Sequence, residues 1–247
     1  MQATLPHERP PERPDARPSV LILGIGNLLW ADEGFGVRAV EHLHRYWSFD
    51  DNVRLADGGT QGIYLVQDIR DADMLVVFDA VDYGLPPATL KLVEGADVPS
   101  FMGAKKVSLH QTGFQEVLAM AEMMGEAPEE LLLVGVQPEE IEDFGGSLRD
   151  TVKAKMDVAI AAALDWLAAR GVHATLRAEP LAPEQGLGSL EMVIERYEEE
   201  RPDDAVAPRL GDTRVLEGDQ WAGPPSAEAH EAELRAILGG PNLRVML

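Results

Sequence analysis

The 247-residue chain contains no cysteine. That excludes disulfides, thiol catalysis, iron–sulfur ligation and any thiolate zinc site, and it fits a reducing, cytoplasmic setting. Positive charge is scarce: 21 Lys and Arg stand against 43 Asp and Glu, for a formal net charge of −22. Such a field repels phosphate backbones, so neither nucleic acid nor an anionic membrane is expected as a partner. Long apolar runs are missing too. A stretch such as Val158–Leu164 falls far short of the roughly 20 residues a membrane span requires. Met1–Ser19 has five prolines and no apolar segment, so it does not read as a signal peptide; a flexible leader is expected over 1–18. No Gly-Lys dipeptide occurs anywhere, which removes the phosphate-binding P-loop.

Hydrophobic residues make up 45% of the chain, enough to build a core. From 19 to 171 strand and helix signals alternate. Apolar runs at Val20–Leu23, Val53–Ala56, Met74–Phe78, Thr89–Val93 and Leu131–Val136 read as strands. Helical spacing marks Gly36–Trp47, Ile63–Ile69, a helix starting near Thr112, and a long Ala-rich helix over Arg149–Arg170. The start near Thr112 rests on the Thr112/Gln115 spacing of a capping box. Strands separated by helices imply βαβ units, hence a single three-layer α/β domain with a twisted, mostly parallel sheet between helices. Residues 172–247 are acidic and broken by prolines. They read as a partly ordered extension with two short helices, near Ser189–Glu200 and Ala227–Leu238, and truncation after about Ala178 is expected to leave a folded core.

Familiar catalytic signatures each lack one residue. Gly24-x-Gly26 follows a strand as in a dinucleotide fingerprint, but the third glycine falls on Leu29. His230-Glu231 opens a zinc-protease pattern whose second histidine falls on Leu234. Ser147 follows Gly145-Gly146, yet a nucleophile elbow needs glycine where Arg149 stands. What remains is a set of metal-type donors where an α/β sheet collects function, in the loops beyond its strand ends. Glu33 follows the first strand, Asp79 ends the Met74–Phe78 strand, and His110 precedes the helix near Thr112. Two carboxylates and an imidazole form an N/O ligand set with open positions. Each also has a bland reading: Glu33 as a helix-dipole partner, Asp79 as a turn cap, His110 as an ordinary loop histidine. Asp57, the Lys105-Lys106 pair and the Asp143–Ser147 turn are lesser candidates.

Six segments, in order, carry a resemblance. Gly24-Ile25-Gly26-Asn27-Leu28-Leu29-Trp30-Ala31-Asp32-Glu33-Gly34-Phe35-Gly36-Val37-Arg38 closely resembles the opening of the maturation endopeptidases of nickel–iron hydrogenases. Asp57–Gly62, Phe78–Gly84, Ala104–Gln111, Val134–Pro138 and Gly145–Leu148 resemble their later motifs. The match covers about residues 19–170, and its spellings look most like the branch serving membrane-bound uptake hydrogenases. The resemblance implies a nickel-dependent hydrolase of aspartic or metallo type that removes a short C-terminal extension from the hydrogenase large-subunit precursor after nickel insertion. It implies that the family's nickel-sensing Glu, Asp and His fall on Glu33, Asp79 and His110, the nickel being carried by the substrate. Two other readings use the same residues or the same turn: a metal chaperone or scaffold that cuts nothing, and a nucleotide-binding Rossmann-like protein resting on Gly24-x-Gly26.

Overall fold

The computed structural model describes residues 17–99 and 109–202, with backbone alone over 109–112. Five strands form the main sheet: β1 (Val20–Ile25), β3 (Val53–Gly59), β4 (Met74–Ala80), β5 (Leu90–Glu94) and β6 (Glu130–Val136). Their order is β3-β1-β4-β6-β5. All neighbours are parallel except β5, which runs antiparallel to β6 at the edge. A two-residue strand β2 (Trp47–Ser48) pairs with β7 (Thr175–Leu176) in a separate antiparallel ribbon.

Both faces of the sheet are covered, as parallel strands require. Val20 and Ile22 of β1, Val76 and Phe78 of β4, and Leu132 and Val134 of β6 pack against helices α1 (Phe35–Tyr46) and α5 (Met156–Ala168). Helix α1 contributes Phe35, Ala39, Val40 and Leu43, the stripe its 3.6-residue period predicts. The alternate residues Leu21, Leu23, Leu75, Val77 and Leu133 face helices α2 (Val66–Arg70) and α3 (Leu109–Met123). Each fully buried Leu, Val or Phe on these faces contributes about 1.5–3 kcal/mol. The expected three-layer α/β fold is therefore the one observed.

Three local expectations are corrected. Helix α3 starts at Leu109, so Thr112 lies inside it. The T-x-x-Q spacing also occurs within helices, and only the extended backbone of a true cap distinguishes the two. The expected helix over 149–170 is divided into α4 (Asp150–Lys153) and α5. There the Lys155 N–H bonds to Val152 O rather than one residue further back, a tightening that apolar periodicity does not register. The β4 strand reaches Ala80, so Asp79 is an in-strand residue rather than a loop residue.

Beyond α5 the chain turns back as a strap. Arg177 and Leu181 donate backbone N–H bonds to Tyr46 and Arg45 at the end of α1. The His44 ring nitrogen meets Gln185 O at 2.9 Å, and Arg38, in the first turn of α1, donates to Met192 O. A short helix α6 (Ile194–Glu199) brings Tyr197 over the Arg38 guanidinium. The strap thus retraces α1 from its C-terminus to its N-terminus. It supplies the expected helix near 189–200 in shortened form; the expected helix at Ala227–Leu238 lies outside the described residues.

Candidate active site

The carboxyl edge of the sheet is where β1, β3, β4 and β6 end and their loops begin. After β1 the chain makes a 3₁₀ turn, Ala31–Gly34, and enters α1 directly. Two glycines let this turn settle on the strands. A Cβ on Gly26, whose φ is +141°, would lie 1.8 Å from Glu33 O. A Cβ on Gly36 would lie 2.1 Å from Phe78 O and 2.2 Å from Ile25 O. Gly26, one of the two glycines that suggested a nucleotide loop, and Gly36 therefore serve to press the Glu33 turn and the head of α1 onto the ends of β1 and β4.

Glu33 is 9% exposed, and its neighbour Asp32 is fully buried. Asp32 Oδ2 accepts the backbone N–H groups of Glu139 and Glu140, each at 2.9 Å, and Oδ1 accepts that of Arg149 at 2.7 Å. Three backbone donors on one carboxylate make a rivet between the 31–34 turn and the loop after β6. Sequence reading missed Asp32, because an Asp-Glu pair at a turn does not say which acid binds the backbone of a loop more than 100 residues away.

Asp79 is fully buried, one residue from the end of β4. By strand alternation it shares the face of Leu75 and Val77, the side covered by α3. Its partner across the ladder is Gly135 of β6, which is also paired with Lys91 of β5. The missing side chain at Gly135 leaves room for Tyr83: a Cβ there would lie 2.6 Å from the Tyr83 hydroxyl. The Lys91 ammonium stands 4.9 Å from the Tyr83 ring centroid, a cation–π distance. Burial, and then the charge of Asp79, push the Tyr83 phenol above its ordinary value, so it is a protonated hydroxyl at neutral pH. Tyr83 is a second site residue that sequence reading passed over. The loop bearing it is held by Gln137, whose Oε1 accepts the N–H groups of Tyr83 and Leu85 while its amide donates to Asp82.

His110 lies in the first turn of α3. Nearby Gly113 comes against Gly62 in the loop after β3, so this end of α3 is also at the carboxyl edge. The His110 side chain is outside the described residues, as is the Lys105-Lys106 pair. Among the described residues no three ligand-type side chains converge on one metal-sized position. Asp57 lies two residues before the end of β3 on the same edge, its carboxyl raised by burial against the opposing Gly59 N–H and Arg38 charge. The Asp143–Ser147 turn closes the rim. Phe144 meets Trp30 edge to face at 5.2 Å between centroids, and the Gly145 N–H bonds to Leu29 O.

This combination defines a three-layer α/β protein with buried carboxylates at the carboxyl edge of its sheet. The chain belongs to the hydrogenase maturation protease family: the family model described as HycI, hydrogenase maturation protease, matches residues 37–166. It is 62% identical over 202 residues to the hydrogenase expression/formation protein HupM of Azotobacter chroococcum, covering 81% of this chain and 94% of that protein. It is 49% identical over 200 residues to HoxM of Cupriavidus necator, covering 81% and 99%. Among solved structures, the hydrogenase maturating endopeptidase HybD from Escherichia coli aligns with a TM-score of 0.62 at 38% identity, over 64% of this chain and 98% of that one.

Proposed function

We propose that this protein is the endopeptidase that trims the C-terminal extension from a nickel–iron hydrogenase large-subunit precursor once nickel has been inserted, and that it recognises the nickel the precursor carries. The observation supporting this reading is that two nearly or fully buried acids, Glu33 in the turn settled on the ends of β1 and β4 and Asp79 in β4, stand at the carboxyl edge of the sheet in a member of this family. Carboxylate oxygens are donors for a divalent ion, and a metal delivered with the substrate is such an ion. Glu33 and Asp79 would give the ion carboxylate oxygens and His110 an imidazole nitrogen, leaving its other positions to the precursor's own ligands.

The reaction adds one water across the scissile C–N bond, hydroxyl to the carbonyl carbon and proton to the leaving amine. A divalent ion beside that carbonyl polarises it, and a carboxylate at the edge serves as general base toward the water. The Tyr83 hydroxyl is a neutral donor on the Asp79 face. The test is incubation of the purified protein with nickel-loaded and nickel-free precursor, read by the mass of the product. Cutting of the loaded form alone, with no stoichiometric metal in the isolated protease by elemental analysis, is expected. Equal cutting of both forms by a protease holding tight zinc overturns the reading in favour of an ordinary metallopeptidase. An unchanged precursor mass with nickel transfer favours a chaperone.

A further inference from the structure

The strap reaches the candidate site through a short series of charged contacts. Arg201 Nη2 donates to both carboxylate oxygens of Asp143, at 2.8 and 3.0 Å. The same carboxylate accepts Arg149 Nη2 at 2.9 Å. The Arg149 backbone N–H in turn binds Asp32 at 2.7 Å, and Asp32 immediately precedes Glu33. One turn earlier in α6, Glu198 accepts the Ser147 hydroxyl and pairs with Lys153. The segment gripped in this way, 143–149, also bonds to Leu29 and meets Trp30 edge to face through Phe144. The Glu33 N–H is bonded to Trp30 O. Ala31 between them sits at φ +42°, a region a non-glycine residue holds only when its surroundings enforce it.

We propose that the strap is a clamp on the candidate active site, and that Glu198 and Arg201 are positioning residues which act on Glu33 through Asp143, Arg149 and Asp32. The clamp holds the 139–149 loop in register, so the three N–H groups aimed at Asp32 and the strained turn at Ala31 stay fixed and Glu33 keeps one orientation. The contacts are ion pairs on side chains that are about one-third exposed or less. They therefore tune a loop rather than build the core, and removing them leaves both apolar layers intact. The kinetic part of this proposal rests on the proteolytic reading; the structural part does not.

The full-length Glu198→Ala/Arg201→Ala protein is compared with the parent by amide hydrogen exchange and by processing of nickel-loaded precursor. Exchange at the amides of Glu139, Glu140, Gly145 and Arg149 is expected to rise about tenfold or more while β1 and β4 amides stay protected. Processing kcat is expected to fall about tenfold with KM little changed, as misplacement of a catalytic group does. Arg201→Lys, which keeps the charge, should recover part of both effects. Faster exchange confined to 187–201, or a kcat equal to the parent's, overturns the clamp. If the parent itself leaves the precursor uncut, the proteolytic reading fails, and the exchange at those four amides still decides the clamp.

Discussion

Asp32 and Glu33 are adjacent acids, and the proposed function gives them separable, measurable roles. In Asp32→Ala three backbone N–H groups lose their acceptor. At about 1–3 kcal/mol for each buried donor left without one, the variant should lose about 3 kcal/mol or more in urea unfolding, with an unchanged m value. Glu33→Gln and Asp79→Asn keep the shape of the side chain and remove the carboxylate, so processing should fall on the order of a hundredfold or more. Processing retained by either variant would move the chemistry away from this edge. Tyr83→Phe keeps the ring that Lys91 faces and removes only the hydroxyl. A drop of about tenfold in kcat without loss of thermal stability is expected if the hydroxyl serves the reaction. At this scale the sequence shows which residues are acids and which end strands. It does not show Tyr83, because its position depends on a gap at Gly135 that lies 52 residues away in the chain.

The elements were largely legible because their periods are strong. Strands β1, β4 and β6 are almost continuous apolar runs, and α1 carries its stripe in plain view. Misreadings came where tertiary contacts overrule local signals. The first turn of the divided helix is tied by Arg149 to Asp32, and the start of α3 is not where a capping box alone suggests. The head of α1 gives the sharpest test at this scale. Gly36→Ala would bring a methyl group within 2.2 Å of carbonyl oxygens on both β1 and β4. Backbone cannot yield as a side chain does, so the cost should exceed the about 1–3 kcal/mol of ordinary overpacking. A soluble variant melting within a degree or two of the parent would refute the close approach.

At the scale of the molecule, charge governs the response to acid. Burial alone would raise the Asp143 carboxyl, but Arg201 and Arg149 outweigh it and hold it below its usual value. Glu198, with Lys153 and Ser147, behaves likewise, as does Glu195 with its own backbone N–H and Arg45. Such groups add stability above the ordinary carboxylate pKa of about 4 and lose it as pH falls through their lower folded values. Asp57 and Glu41 are raised, chiefly by burial, so their contribution has the opposite sign and fades as pH rises through their folded values. Acidification from neutrality should therefore spare the strap down to about pH 4 and then release it while the sheet stays folded. Exchange at the 187–201 amides against β4 amides, from pH 7 to 3, checks this; simultaneous opening would refute it. None of the strap was legible beyond a short helix, since its anchors join residues such as Asp143 and Arg201, 58 positions apart, with no periodic trace.

The path of that strap has a practical corollary. Arg17 is ion-paired to Asp50 and Asp51 beside the start of β1, on the amino edge of the sheet. Pro202 follows Arg201, which is paired with Asp143 on the rim of the acidic edge. Attachment points at these two positions are therefore not equivalent. A surface tether, dye or affinity handle attached at residue 17 sits on the amino edge, away from Glu33, whereas one attached at residue 202 sits on the rim of the candidate site. Immobilisation for binding measurements should use the former, and a proximity label meant to mark the bound partner should use the latter.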